Sequence, residues 1–177
     1  LRKALYLAIT AAALTASLCI GASAAKLTDI NGHWAKKYIE YGVDKGYING
    51  YTDGTFKPDG TVTRAEFSKM INNAVKVSSK KDSTFSDVSR IDWYYGEVQK
   101  AAYAGYVSGY SDGTFRPKNL ISRQEAAVIL YRISVPTNDT FELRKFTDNS
   151  SIADWARDAV SSVAAKGYIT GDEKSRF

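Results

Sequence analysis

Apolar residues recur at intervals of three and four positions in several separate stretches of the chain. One stretch carries Tyr38, Ile39 and Val43, and a later one carries Phe67 and Ile71. This spacing is typical of amphipathic α-helices, because residues three and four positions apart lie on one helix face. Three of the stretches are followed by a glycine, as is common at a helix C-terminus: Gly46, Gly105 and Gly167. The pattern predicts a mainly α-helical protein.

The pattern returns with a period of 59 residues, as the pair Trp34 and Trp93 illustrates. The loop sequence GYTDGTF at residues 50–56 returns as GYSDGTF at residues 109–115. A third and shorter copy begins near Phe146. Such repeats usually represent one supersecondary unit that cannot bury its apolar face alone. We place the units at 26–80, 84–137 and 145–177, each with a helix, a glycine-rich loop and a second helix, which the third copy lacks.

The first 24 residues have the three parts of a secretory signal peptide. Arg2 and Lys3 form a basic start, residues 4–20 are mostly apolar, and residues 22–24 (Ala-Ser-Ala) resemble a cleavage site. The alternative is a membrane anchor, but an apolar run of this length is at the lower limit for spanning a bilayer. We therefore predict a signal peptide at 1–24 and a secreted mature chain.

Composition argues against several kinds of site. The 177 residues include one cysteine and one histidine, so a disulfide framework, a cysteine-based zinc site and a histidine cluster are not expected. The net charge of +5 is far from the basic stripe of a dedicated nucleic-acid-binding protein. We predict no metal site, no cofactor and no nucleic-acid partner.

The sequence does not suggest an enzyme. It contains no Walker loop, no G-x-G-x-x-G and no H-E-x-x-H motif. The acidic residues that recur between copies fall in turns and helix starts. Repetition itself favours multivalent binding over a single catalytic centre, and we assign no catalytic residue.

Two segments predict capping boxes at helix N-termini, in which a hydroxyl and a carboxylate each bond the other residue's backbone N–H. The four residues concerned are Thr63, Glu66, Ser122 and Glu125.

The capping boxes do not explain the arginines beside them. Arg64 and Arg123 each occupy the first helical position, where a cation faces the positive end of the helix dipole. A planar guanidinium beside free backbone N–H groups is a good receptor for a carboxylate or phosphate. The arginines therefore either bind an anionic ligand or form structural ion pairs with Asp29 or Asp87.

The aromatic residues also allow two interpretations. Trp34, Trp93 and Trp155 begin amphipathic helices, where they either pack in the core or form a stacking platform for a sugar ring. Tyr51 and Tyr110 lie in the glycine-rich loops, a position that favours contact with a ligand over packing in the core.

Together these motifs resemble the S-layer homology repeat. The order is F/L-[ST]-D, then Trp, then G-Y-[IV]-x-G-Y-x-D-G-x-F-x-P, then [TS]-R-x-E, and it covers nearly all of residues 26–177. The resemblance implies tandem helix-loop-helix repeats in a pseudo-threefold arrangement. It also implies a secreted protein at the cell wall or surface layer. Such a protein binds an anionic secondary cell-wall polysaccharide linked to peptidoglycan, often one with a pyruvate ketal.

The resemblance also implies a set of polysaccharide-binding residues. Arg64 and Arg123 would bind the carboxylate, and Asp29, Asp87 and Asp148 would orient the groove or bond sugar hydroxyls. The pocket would be shaped by Trp34, Trp93, Trp155, Gly50, Gly109, Tyr51 and Tyr110. After signal cleavage no membrane contact is expected. Two alternatives remain: a self-associating surface-layer fragment, or the anchor of a wall-active hydrolase whose catalytic domain is not in this chain.

Overall fold

The computed structural model describes residues 27–82, 84–135 and 141–177. Within these ranges the chain forms α-helices and short 3-10 helices and no β-strand. The α-helices are α1 (Lys36–Asp44), α2 (Arg64–Ala74), α3 (Tyr95–Tyr103), α4 (Arg123–Ile133) and α5 (Arg157–Ala165), and the 3-10 helices are Phe141–Lys145, Asn149–Ser151 and Asp154–Ala156. The prediction of a mainly α-helical protein is confirmed, whereas the pseudo-threefold arrangement stays a prediction. The predicted signal peptide at 1–24 lies outside the described residues.

Glycine ends the first helix of each repeat. After α1, Gly46 has φ +70°, and its N–H bonds the Val43 carbonyl while the Tyr47 N–H bonds the Gly42 carbonyl. This pair of bonds satisfies two carbonyls that a helix end would otherwise leave unpaired. The corresponding glycines after α3 and α5 also have positive φ angles, so the predicted helix ends are confirmed.

The described residues fall into two compact units. The first contains residues 27–60 and 73–76. Its core is a small cluster around Leu27, Ile30 and Ile39, against which Ile48 and Phe56 pack. Burial of this apolar face fixes α1 on the segments before and after it, because apolar area removed from water stabilises by about 25 cal/mol per Å².

The second unit contains residues 61–72 and the described residues after 76. One core cluster joins α4 and α5 with the segment before α5, through Ala127, Phe146, Val160 and Val163. Around α3, Val98, Ala101 and Tyr106 are almost entirely buried.

A buried polar network connects α2 to α3 within the second unit. The Tyr106 hydroxyl donates to the Asn72 side-chain oxygen, and the Asn72 amide donates to the Glu97 carboxylate at 2.7 Å. Burial raises the pKa of Tyr106, with a smaller contribution from the negative charge of Glu97. The hydroxyl therefore stays protonated and able to donate.

Candidate functional site

The second helices of the first two repeats begin with reciprocal hydrogen bonds. The Thr63 N–H donates to Glu66 Oε2 at 2.8 Å, and the Glu66 N–H donates to Thr63 Oγ1 at 3.3 Å. At α4 the Ser122 N–H donates to Glu125 Oε2 at 2.9 Å, and the Glu125 N–H donates to Ser122 Oγ at 3.2 Å. These are the bonds of two capping boxes. They hold Arg64 and Arg123 at the first turn of their helices.

Arg64 is buried, with only 9% of its side chain exposed. Its Nε donates to the Phe115 carbonyl at 2.9 Å, and its Nη1 lies 2.7 Å from Glu125 Oε1. The guanidinium carbon also lies over the rings of Tyr110 and Phe115, 4.8 and 4.9 Å from their centroids. Arg64 therefore forms a structural ion pair, and its partner is Glu125.

Glu125 is the acceptor at the centre of this cluster. Oε1 accepts from Arg64 and from the Tyr110 hydroxyl at 2.5 Å, while Oε2 accepts from Ser122. Burial raises the pKa of Glu125, but the hydrogen bonds from Ser122 and Tyr110 and the charge of Arg64 outweigh burial and lower it. The carboxylate is thus ionised at neutral pH.

Arg123 has the same place in its helix and a different environment. It is exposed, its Nη2 donates to the Thr170 carbonyl at 2.8 Å, and its guanidinium carbon lies 5.0 Å from the centroid of Phe177. Among residues 27–82, 84–135 and 141–177 it forms no ion pair with a carboxylate. Asp172, which stands where the second repeat has Tyr110, bonds Arg176 in its own loop instead.

The aspartates of the F/L-[ST]-D motifs hold the glycine-rich loops. Asp29 accepts from the backbone N–H groups of Phe56 and Lys57 at 2.8 and 2.7 Å. The Phe56 bond is the largest cause that lowers the pKa of Asp29. Asp29 thus orients the loop of its repeat, and its carboxylate is already hydrogen-bonded to the backbone.

The same device recurs in the other two repeats. Asp87 accepts from Phe115 and Arg116, and Asp148 accepts from Phe177 at 2.8 Å. These carboxylates bond loops rather than arginines, so the expectation that Asp29 or Asp87 would be the ion-pair partner of an arginine is wrong.

The three tryptophans are exposed, so the interpretation that they pack in the core is wrong. Trp34, Trp93 and Trp155 have 79%, 58% and 62% of their surface exposed. The Trp34 ring lies beside His33 and Tyr38, at 5.5 and 6.5 Å between centroids. Lys69 Nζ lies 5.7 Å from the centroid of the Trp93 ring. The exposed surface of such rings can stack on a flat ligand.

The loop glycines are explained by packing. A Cβ on Gly50 would lie 2.3 Å from the Leu27 side chain, and a Cβ on Gly109 would lie 2.4 Å from Phe85. Each loop therefore needs glycine to close against its own repeat.

Each loop tyrosine has a cationic side chain over its ring. Tyr51 is exposed and lies under Lys57 Nζ, and Tyr110 lies under the Arg116 guanidinium, whose carbon is 4.0 Å from the ring centroid.

The structure thus brings together only some of the predicted site residues. Arg64, Tyr110 and Glu125 meet directly. Two residues that sequence reasoning missed complete the arginine environments, Phe115 and Phe177, through a ring in both cases and a carbonyl in the first. Their recurrence at the end of the glycine-rich loop was the available signal.

Residues 109–113 match the G-x-S-x-G motif of a hydrolase nucleophile, but they do not lie in the strand-turn-helix context of that motif. Ser111 is exposed in a turn that follows no strand in the described part of the chain, whereas a hydrolase nucleophile lies between a strand and a helix. The single histidine, His33, accepts the Ala35 N–H at the start of α1 and contacts Asp59.

The described ranges contain neither a candidate metal site nor a candidate membrane-spanning helix. No group of three or more His, Cys, Asp or Glu side chains is placed to hold a metal ion. No helix there is both long and apolar enough to cross a membrane.

Comparison with known proteins identifies the repeats. A sequence profile of the S-layer homology domain matches residues 26–68, 84–127 and 145–177. The chain is 33% identical over 180 residues to the surface-layer 125 kDa protein of Lysinibacillus sphaericus, covering 97% of this chain and 15% of that protein. It is 35% identical to the amylopullulanase of Thermoanaerobacterium thermosulfurigenes, over 84% of this chain and 8% of that protein.

A third relative is the cellulosome-anchoring protein of Acetivibrio thermocellus. It is 33% identical over 108 residues, which cover 58% of this chain and 24% of that protein. The chain therefore spans a quarter or less of the length of each of these relatives.

Proposed function

Because the chain belongs to the S-layer homology domain family, we propose that it holds a secreted protein on the bacterial cell wall by binding an anionic secondary cell-wall polysaccharide. The chain is a secreted, cell-surface protein with a non-catalytic anchoring domain. Domains of this family bind cell-wall polymers, and one relative is named as an anchoring protein. The identity of the polymer, its pyruvate ketal and the export of the chain by residues 1–24 are parts of the proposal.

The observation that carries the proposal is the environment of Arg123. Its guanidinium is exposed, is held in place by the Thr170 carbonyl and the Phe177 ring, and has no acidic partner in the described part of the chain. An exposed planar guanidinium binds a carboxylate by donating two parallel hydrogen bonds to it. A pyruvate ketal on a sugar supplies such a carboxylate.

The exposed tryptophans support the sugar part of the ligand. Each offers an apolar ring face at the start of the first helix of a repeat. Sugar rings have apolar faces that stack on aromatic rings, and three such platforms on one chain allow a polymer to be held at several points.

Co-sedimentation with bacterial cell walls tests the proposal. We expect the protein to pellet with native walls and to stay in solution with walls from which acid has removed the secondary polysaccharide. Equal pelleting with both preparations would contradict a polysaccharide ligand.

The role of Arg123 is tested with a matched pair of variants. Arg123→Ala should lose wall binding, whereas Lys118→Ala, which removes one exposed positive charge from the same unit, should pellet like the wild type. Circular dichroism checks that both variants remain helical. Unchanged binding by Arg123→Ala would remove Arg123 from the site.

Self-assembly is a second candidate, favoured by the likeness to surface-layer proteins. It predicts a mass that rises with protein concentration in the absence of any polysaccharide, which sedimentation velocity measures.

A further inference from the structure

Arg64 and Arg123 occupy equivalent positions in their repeats, but their side chains have different environments. Both occupy the first position of the second helix in their repeat, and both lie about 5 Å from a phenylalanine ring, Phe115 or Phe177. Both donate to a backbone carbonyl. The difference is that Arg64 also faces a carboxylate, whereas Arg123 faces none in the described residues.

The carboxylate that faces Arg64 is fixed on three sides. Glu125 is held by Ser122 at one oxygen and by Tyr110 and Arg64 at the other. It therefore meets the guanidinium as a bound carboxylate ligand would, with a short charge-assisted hydrogen bond.

We propose that Glu125 acts as an internal ligand that closes the Arg64 site, so that the chain presents one open carboxylate site, at Arg123, and one masked site, at Arg64. This inference rests on the proposed function in one respect, since it takes a carboxylate-bearing sugar as the group that the arginines recognise. It assigns Glu125 as a residue that determines how many ligands the chain holds.

The Glu125 carboxylate is an effective mask of Arg64 because both residues belong to the same chain. A carboxylate attached to the same chain has an effective concentration in the millimolar range or above, on the order of what a short linker gives. Its helix cap and the Tyr110 hydroxyl hold it in place, so it loses little further freedom when it pairs with Arg64. A single external carboxylate must displace this group and leave it without its partner, which is costly for a partly buried charge.

Two substitutions at one position remove the mask in different ways. Glu125→Gln keeps an oxygen for the Ser122 N–H, but the group that then faces Arg64 is an amide that carries no negative charge. Glu125→Ala also vacates the space beside the guanidinium, at the cost of the cap. The matched control is Glu66→Gln, which changes the equivalent capping carboxylate of the first repeat.

The probe is a methyl glycoside that carries a 4,6-linked pyruvate ketal, titrated into the full chain by isothermal calorimetry. We expect one bound glycoside per chain for the wild type and for Glu66→Gln, and two for Glu125→Gln or Glu125→Ala. Adding Arg64→Ala to either Glu125 variant should return the number to one.

The outcomes separate this inference from the proposed function. If both Glu125 variants fold and gain no Arg64-dependent site, the inference is wrong even when the wild type binds. If the wild type already binds two glycosides and Arg64→Ala removes one of them, the site is not masked and the inference is also wrong. A wild type that binds none contradicts the proposed function, whereas an Arg64-dependent site that appears only in the Glu125 variants still supports the mask.

Discussion

Arg64 and Glu125 are 61 residues apart in the chain, and their side chains meet at 2.7 Å between Nη1 and Oε1. The pair joins the first turn of α2 to the first turn of α4. Only 9% of the arginine side chain and 20% of the glutamate side chain are exposed. An ion pair at this depth behaves differently from one on the surface, because removal of either partner leaves a charge that water solvates poorly.

Replacement of Arg64 should therefore destabilise the protein. We expect Arg64→Ala to lower the free energy of unfolding by about 3 kcal/mol, because it leaves the Glu125 charge partly buried and unpaired. Urea denaturation measures the change. Arg123→Ala is the matched control, and since its side chain is exposed we expect a loss of about 0.5 kcal/mol or less. Similar losses in the two variants would contradict the difference in environment.

The pair should also make stability depend on acid pH. The pKa of Glu125 in the folded chain lies below its ordinary value of 4.5. The unfolded chain therefore takes up this proton first as the pH falls, so the stabilisation is complete above about pH 5 and is lost progressively below about pH 4.5. The Glu125→Gln variant lacks this pH-dependent stabilisation, because its amide does not titrate. The stability difference between wild type and Glu125→Gln should shrink between pH 6 and pH 3.5, and a constant difference would count against the shifted pKa.

The Tyr106 hydroxyl supports the buried contact between α2 and α3. Tyr106→Phe leaves the Asn72 side-chain oxygen without this donor, so we expect a loss of about 1–2 kcal/mol in the free energy of unfolding. Tyr103→Phe removes a hydroxyl from an exposed tyrosine at the end of α3 and should change stability little. Thermal or urea unfolding of both variants makes the comparison, and equal stabilities would show that the buried hydroxyl is replaceable.

Gly109 and Gly113 lie in one loop, and their substitution distinguishes the cost of backbone strain from the cost of steric crowding. Gly113 has φ +78° and open space where a Cβ would lie, so Gly113→Ala should cost about 1 kcal/mol, from backbone conformation alone. Gly109 has φ +70°, and its Cβ would also contact Phe85 and the Thr114 carbonyl. We expect Gly109→Ala to cost about 3 kcal/mol, since overpacking adds to the strain. The relation fails if Gly113→Ala is the more damaging of the two.

Fluorescence quenching tests whether the exposed tryptophans contact the ligand. In the free protein we expect acrylamide to quench most of the tryptophan fluorescence, because all three side chains are more than half exposed. Soluble polysaccharide released from the walls should protect them if sugars stack on the rings. Quenching that is unchanged at a concentration of polysaccharide that saturates the protein would remove the tryptophans from the ligand site.

The local features of the fold were predictable from the sequence. Helix starts at Thr63 and Ser122 and helix ends at Gly46, Gly105 and Gly167 follow from capping chemistry, which involves residues within a few positions of each other. The structure has the corresponding hydrogen bonds and positive φ angles.

The partner of Arg64 was not predictable in the same way. Periodicity places an arginine, an aspartate and a glutamate in each of the first two copies, but it does not state which of these side chains meet. The sequence therefore allowed Asp29 or Asp87 as partners, whereas those carboxylates bond the loops of their own repeats. The exposure of the tryptophans could not be deduced either, because an aromatic residue at the start of an amphipathic helix fits a core and a surface equally well.

The environment of Arg64 also bears on how such repeats can be exchanged between proteins. Its helix belongs to one repeat, while Phe115, Tyr110 and Glu125 all belong to the next. In a chimaera cut between residues 80 and 84, Arg64 would acquire its surroundings from the incoming neighbour. The unit that carries this buried ion pair is therefore the junction of two repeats, and transplanting a single 59-residue period would carry only half of it.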